Sequence, residues 1–177
     1  MSDLDSLRFP LGRFKPQSDV SSTDRMVWIN RIASCPEHLA DAIDGLSDHQ
    51  IDTPYREGGW SVRQVVHHLF DSHVNAFIRF RLALTEENPR VTAYDEHAWS
   101  QLPDSLEVDP NVSLKLLHGL HLRWVVMLRA MTEADFGRTL NHPENGPMSL
   151  DRMLQLYAWH GGHHVRHITA LRERNNW

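Results

Sequence analysis

Apolar residues recur at helical spacing in four long stretches, separated by Pro, Gly and polar punctuation. The first runs roughly from Thr23 to Leu46 and places Trp28, Ile32, Cys35, Leu39, Ile43 and Leu46 on one stripe. Pro36 falls inside it. Because proline lacks the N–H that the preceding turn needs, it is expected to bend this helix or mark a restart. A loop carrying Asp52-Thr53-Pro54 and Gly58-Gly59 leads to Ser61, which reads as an N-cap with Gln64 completing a capping box. The stripe that follows, Val62, Val65, Val66, Leu69, Ala76, Phe77 and Phe80, ends near Thr85, ahead of Pro89.

Residues 86–108 hold no sustained period but carry Tyr94, Asp95, Glu96 and Trp99. Loops of this length in compact domains are usually functional or disordered, and the aromatics favour function. The third helix starts clearly, with Asp109 as N-cap and Pro110 at the first helical position. Leu114, Leu117, Leu120, Trp124, Leu128 and Met131 form its apolar face. Between Arg138 and Met148, Pro143, Asn145, Gly146 and Pro147 predict a turn or short hairpin. Ser149 caps the fourth helix, with Leu150, Met153, Tyr157, Ile168 and Leu171 on one face. Four amphipathic helices of this length predict an all-α bundle, one domain over residues 1–177 with an extended N-terminal arm over 1–20.

Composition narrows the function. Apolar residues at 41% exclude a disordered chain, and a net charge of −5 without any Lys/Arg block leaves no footprint for nucleic acid. No stretch approaches the roughly 18 consecutive apolar residues of a membrane span, and Met1 to Pro10 lack the apolar run of a secretory signal. Cys35 is the single cysteine, which fits a reducing cytoplasm, and it reads as a small buried residue rather than a nucleophile.

Histidine is the anomaly. The chain has 13, and seven of them fall in the windows 67–73 and 160–167. Counting about 100° per residue, His160 and His164 fall in the middle of the fourth helix's apolar stripe, with His167 inside it and His163 at its edge. An i, i+4 pair stacks two imidazoles on one face, the arrangement by which a helix offers two nitrogens to one metal. A single histidine there would read as a hydrogen-bonded core residue, but two leave several buried nitrogens to satisfy. For a third ligand the wheel leaves His68, His73 and His121 open. His73 and His121 are central on their stripes, His68 lies at a flank near Val65 and Ser72, and His67 lies farther out.

The segments Trp60-Ser-Val-Arg-Gln-Val-Val-His67-His68-Leu and Tyr157-Ala-Trp-His160-Gly-Gly-His163-His164-Val-Arg-His167-Ile resemble the DinB/YfiT-like superfamily. More narrowly, they are similar to its YfiT branch of metal-dependent hydrolases and bacillithiol transferases. "FPLGRFKP", "DTPYREGGWSVRQVVHHL" and "YDEHAW" extend the likeness over nearly the whole chain. The resemblance implies an up-down-up-down four-helix bundle holding one divalent metal ion, zinc or else nickel, through His68, His160 and His164. It leaves His67, His73, His121, His163 and His167 as supporting or surface residues. It also implies a homodimer, for which an outward-facing His67 and the many tryptophans are additional reasons.

Three neutral imidazoles with no carboxylate would leave the metal an open position, which is a catalytic pattern. Water at such a centre ionises near pH 7, and a thiol there is deprotonated outright. Gly161 stands where a zincin motif would carry its general-base Glu, so that protease class is disfavoured. Asp95, Glu96 and Tyr55 are the acid–base candidates. The resemblance tips the expectation toward a transferase that joins a low-molecular-weight thiol cosubstrate, bacillithiol or a comparable one, to a small electrophile. The alternatives are a hydrolase using the same ligands and a non-enzymatic metal-binding module.

Overall fold

A computed structural model describes residues 3–177. The chain forms α1 (Asp3–Arg8), α2 (Ser22–Ile43), α3 (Asp48–Ile51), α4 (Val62–Thr85), α5 (Glu96–Ser100), α6 (Pro103–Glu107), α7 (Pro110–Ala130), α8 (Glu133–Phe136), β1 (Thr139–His142), β2 (Gly146–Ser149) and α9 (Leu150–Asn175). The four long helices α2, α4, α7 and α9 are those the hydrophobic pattern predicts, and they make a four-helix bundle. Their starts follow the cap signals: Ser61 and Gln64 close a reciprocal capping box, Asp109 accepts from the Asn111 amide, and Ser149 accepts from the Arg152 amide. The expected hairpin is β1–β2, antiparallel, with Leu140 opposite Met148 and both side chains buried.

Several local expectations need correction. α2 runs through Pro36 without a restart. The 86–108 segment is not irregular throughout: Asp95 caps α5 by accepting from the Ala98 amide at 2.9 Å, and Pro103 opens α6. Nor is the N-terminal arm extended from its start, because residues 3–8 form a helical turn. Beyond it the chain lies along α9, where the Gln17 amide donates to Gln155 Oε1 at 2.7 Å and Gln155 Nε2 donates back to the Gln17 carbonyl.

The order of helix directions also departs from up-down-up-down. Arg25 and Asp151, each in the first turns of its helix, pair at 2.7 Å, and Arg172 near the end of α9 donates to the carbonyls of Ala42 and Asp44 at the end of α2. α2 and α9 therefore run parallel. At the start of α4, Arg63 donates to the Val108 carbonyl and His67 bonds Ser113 of α7, so α4 and α7 are parallel too. The order is up-down-down-up, and α2 packs beside α9 and α7 while α4 lies across the diagonal. Residues 86–109 make this possible, since α5 and α6 carry the chain back along α4 before α7 begins.

The core divides into two apolar clusters. One gathers Ile32, Phe80, Trp124, Leu128, Met153 and Leu154. The other gathers Leu39, Val65, Leu69, Leu117, Ile168 and Leu171. Every long helix contributes to both, and His73, His121, His160 and His164 occupy the stretch between. Among the described residues, no helix is long and apolar enough to cross a membrane.

α2 packs tightly on α9 at Gly161, where an added Cβ would lie 2.6 Å from Cys35 Sγ and 3.5 Å from His73 Cε1. At neighbouring Gly162 a Cβ would meet only Leu11 Cδ1, at 3.6 Å. Helix propensity favours alanine at both positions by about 1 kcal/mol. Gly162→Ala is therefore expected to be neutral or stabilising in urea denaturation. Gly161→Ala is expected to destabilise by about 1–3 kcal/mol through overpacking, and Cys35→Ala in the same chain should recover much of that loss.

Candidate metal centre

α4 and α9 together bring one ring nitrogen each of His68, His160 and His164 within 4.8 Å of one another. His160 and His164 face the same way because they are one helical turn apart, with ring centroids 4.5 Å apart. His68 enters from α4, its Nε2 3.3 Å from His160 Nε2 and its ring 4.8 Å from that of His164. The Trp60 ring, just ahead of the Ser61 cap, packs on His68 at 4.6 Å and fixes its orientation. His68 and His164 are buried, and His160 keeps some exposure.

Burial dominates the electrostatics. It pushes His68 down to about 4, with His163 and His167 adding smaller repulsions. His160 and His164 are held well below the usual histidine range, again by burial first and then by neighbouring rings, among them His68 and His167. All three rings are neutral at pH 7, the form in which imidazole offers a lone pair. Three nitrogen donors with no carboxylate among them suit a divalent ion of borderline softness.

His73 and His121, the two other rings that helical position left open, form a stacked pair behind His160, with His73 Nδ1 2.8 Å from His121 Nε2 and His73 Nε2 3.2 Å from His160 Nδ1. His167 bonds behind His164, and His163 stacks on Trp159. His67 is not outward-facing. It is buried where α6 meets α7, bonded to Ser113 Oγ at 2.7 Å and the Val108 carbonyl at 3.1 Å, which removes one of the reasons given for a dimer. Cys35 is buried and its thiol is pushed up to about 12, so it is inert.

The acid–base candidates separate cleanly. Asp95 is exposed and occupied as the α5 cap. Tyr55 stacks on His167 with centroids 4.0 Å apart. Glu96 lines a cavity of about 210 Å³ that has His160 in its wall, together with Ser72, Arg79, His142, Glu144 and Tyr157. Glu96 is itself exposed; partial desolvation raises its carboxyl first, Glu144 and Asp95 raise it further, and Arg79 opposes them. Sequence reasoning missed Arg79, a buried cation whose guanidinium donates to the Thr92 carbonyl at 2.6 Å. The signal was available: at 100° per residue, His68, Ser72 and Arg79 fall along one line beside the apolar stripe of α4.

Neutral burial carries a consequence for acid stability. The unfolded chain titrates its histidines near pH 6.5, whereas His68, His121 and His167 in the fold do so near 4. Between those values the unfolded state binds more protons, so stability is lost as pH falls through that window. Denaturation of the metal-free protein between pH 7 and pH 5 should show a slope steeper than the ~1.4 kcal/mol per pH unit of a single group. A flat profile would mean that the rings are not held neutral.

Comparison with known proteins agrees with this geometry. A family model described as the DinB superfamily matches residues 31–168. A relative from Bacillus mycoides (strain KBAB4) is 51% identical over 98% of this chain and 100% of its own length. YfiT of Bacillus subtilis (strain 168) is 47% identical over 97% of each chain. Both are named for an inferred metal-dependent hydrolase activity. The solved structure of B. subtilis YfiT, described as having an unusual four-helix bundle topology, superposes with a TM-score of 0.95 over 97% of this chain and 99% of its own. The four-helix bundle protein TT2238, at 16% identity and a TM-score of 0.57 over 82% of this chain and 98% of its own, shares the fold alone. With identity near one half over almost its full length, and a family match that takes in every histidine of the cluster, the chain belongs to the DinB superfamily.

Proposed function

We propose that this protein is a metal-dependent hydrolase of a small molecule, with His68, His160 and His164 as the protein ligands of one divalent ion per chain, zinc or nickel. The observation that carries this reading is the convergence of three neutral imidazoles, without a carboxylate, beside a cavity. An ion held this way retains its full charge and supplies Lewis acidity toward a substrate and toward water. The residues around it have separate tasks. His160 forms the edge between the ion and the cavity. Arg79, Ser72 and Tyr157 offer donors that orient a polar substrate, and Leu140, Met148 and Met153 give the cavity an apolar wall. Glu96 is assigned proton transfer because, of Asp95, Glu96 and Tyr55, it alone lines that cavity, and its surroundings raise its carboxyl. At about 210 Å³ the cavity lies below the usual range for drug-sized ligands, which favours a small substrate.

The names of the relatives favour hydrolysis over thiol transfer, the leading expectation from the sequence. Thiol transfer at the same centre is the rival reading, and the two separate on one variable. Electrophiles, esters and amides are screened with the zinc-loaded protein, with and without low-molecular-weight thiols, using His160→Ala as the blank. Turnover that needs no thiol and vanishes in the variant supports the hydrolase; loss of electrophile only when a thiol is present replaces it with the transferase.

Elemental analysis should find one equivalent of divalent metal per chain, and none after His160→Ala or His164→Ala. Full occupancy in the double variant would remove the site altogether. Glu96→Gln should retain the metal and lower kcat by about 100-fold or more, the least that general acid–base catalysis usually contributes.

A further inference from the structure

Behind the three imidazoles, further rings are joined to them through ring nitrogens, and the ends of these chains determine where every proton sits. One chain begins at the Ile32 carbonyl of α2. Pro36 has no N–H to give that carbonyl, so the oxygen lacks its usual helical donor. His121 Nδ1 of α7 lies 2.6 Å from it. A carbonyl only accepts, so Nδ1 carries the proton and Nε2 of the neutral ring is bare. His73 Nδ1 of α4 lies 2.8 Å from that bare nitrogen and donates to it. The Nε2 of His73 is then bare in turn, and His160 Nδ1 of α9 donates to it at 3.2 Å. One chain thus crosses all four long helices and leaves His160 Nε2 as a bare lone pair facing His68.

A second chain begins at the Arg8 carbonyl, at the end of α1. His167 Nε2 lies 3.2 Å from that oxygen and donates to it, leaving Nδ1 bare. His164 Nδ1 donates to that nitrogen at 3.3 Å, and His164 Nε2 is left free. Tyr55, stacked on His167, holds the connecting ring in place. His73, His121, His164 and His167 are buried, where an uncompensated charge is costly, and a neutral imidazole carries a single proton, so each ring that donates through one nitrogen accepts through the other.

We propose that two directional imidazole chains, Ile32 carbonyl–His121–His73 and Arg8 carbonyl–His167, set the tautomers of His160 and His164 so that both present bare Nε2 atoms before any ion arrives. His73, His121 and His167 are positioning residues in this scheme. The first two stand on the elements of the bundle itself, whereas the second chain depends on the N-terminal arm staying docked. The proposal rests on the reading of the trio as a metal site, but the tautomers exist without the metal and can be measured without it.

The test has two readouts. Histidine 15N shifts of the metal-free protein should give single tautomers for His160 and His164, protonated at Nδ1 and unprotonated at Nε2. Zinc affinity is then read by competition with a chelator. His121→Leu removes the acceptor for His73, and should leave His160 in mixed tautomers while His164 is unchanged. Zinc affinity should fall by about 10–100-fold, as for loss of other groups that orient a metal ligand. His121→Gln can donate to the Ile32 carbonyl and accept from His73, and is expected to restore both readouts. A protonated Nε2 on His160 in the wild-type protein would overturn the proposal, as would unchanged zinc affinity in a folded His121→Leu variant. Wild-type protein with the assigned tautomers but no affinity for zinc would instead overturn the metal reading and leave the chain assignment supported.

Discussion

A layer of imidazoles buried between two apolar clusters has to be neutral and hydrogen-bonded, and much of this molecule's architecture answers that requirement. Each unsatisfied polar nitrogen in such a place costs about 1–3 kcal/mol. The layer meets most of the demand internally, ring to ring, and passes the remainder to backbone carbonyls at Ile32 and Arg8. Because the first chain takes one member from each long helix, sliding any helix by a turn would break it. The apolar clusters on either side tolerate small repacking. The chain does not, so it specifies the register that the hydrophobic stripes leave loose.

The same constraint shapes the chemistry. Metal-bound histidines commonly lean on a carboxylate, which adds negative charge close to the ion and raises ligand basicity. Here the partners are neutral rings ending on carbonyls, so nothing behind His160 or His164 offsets the charge of an ion. The carboxylates nearest the site, Glu96 and Glu144, lie instead on the cavity side. Ring-to-ring hydrogen bonds and carboxylates thus occupy different faces of the site. α5 and the β1–β2 hairpin, which supply Glu96, His142 and Glu144, line the cavity on one side, and α4 and α9 line it on the other.

Much of this was legible in the residues, for identifiable reasons. Period and caps predict the four helices, because Ser61, Asp109 and Ser149 each sit one residue ahead of a helix. The i, i+4 spacing of His160 and His164 fixes their shared face whatever the tertiary fold does. The third member is different. His68 lies at the flank of its own stripe and reaches the trio only because α4 packs against α9, a relation that no single helix encodes. For the same reason His67, read as peripheral, is buried by residues 41 and 46 positions away. Helix direction was illegible too, since a connection as long as 86–109 permits either a turn back or a full return along α4. Pro36 carries the sharpest lesson. Proline chemistry does remove a donor from α2, but a histidine on α7 takes up the freed carbonyl, and the helix continues.

Gly161 ties the bundle's packing to its site. Two glycines in the middle of a long helix are unfavourable by propensity, and they follow His160 directly. Space accounts for only one of them. At Gly161 the missing Cβ admits Cys35 of α2 on one side and the edge of the His73 ring on the other. A larger residue would press α9 away from both, at the point where His160 Nδ1 has to stay within 3.2 Å of His73 Nε2. The contact of α2 with α9 at Cys35 and the approach of His73 to His160 therefore meet at the same absent side chain. At Gly162 the nearest atom is at an ordinary contact distance, and nothing in the structure explains the glycine there. The helix gives up local stability next to the site, and at Gly161 what it gains is an approach close enough for one ring to set the proton of the next.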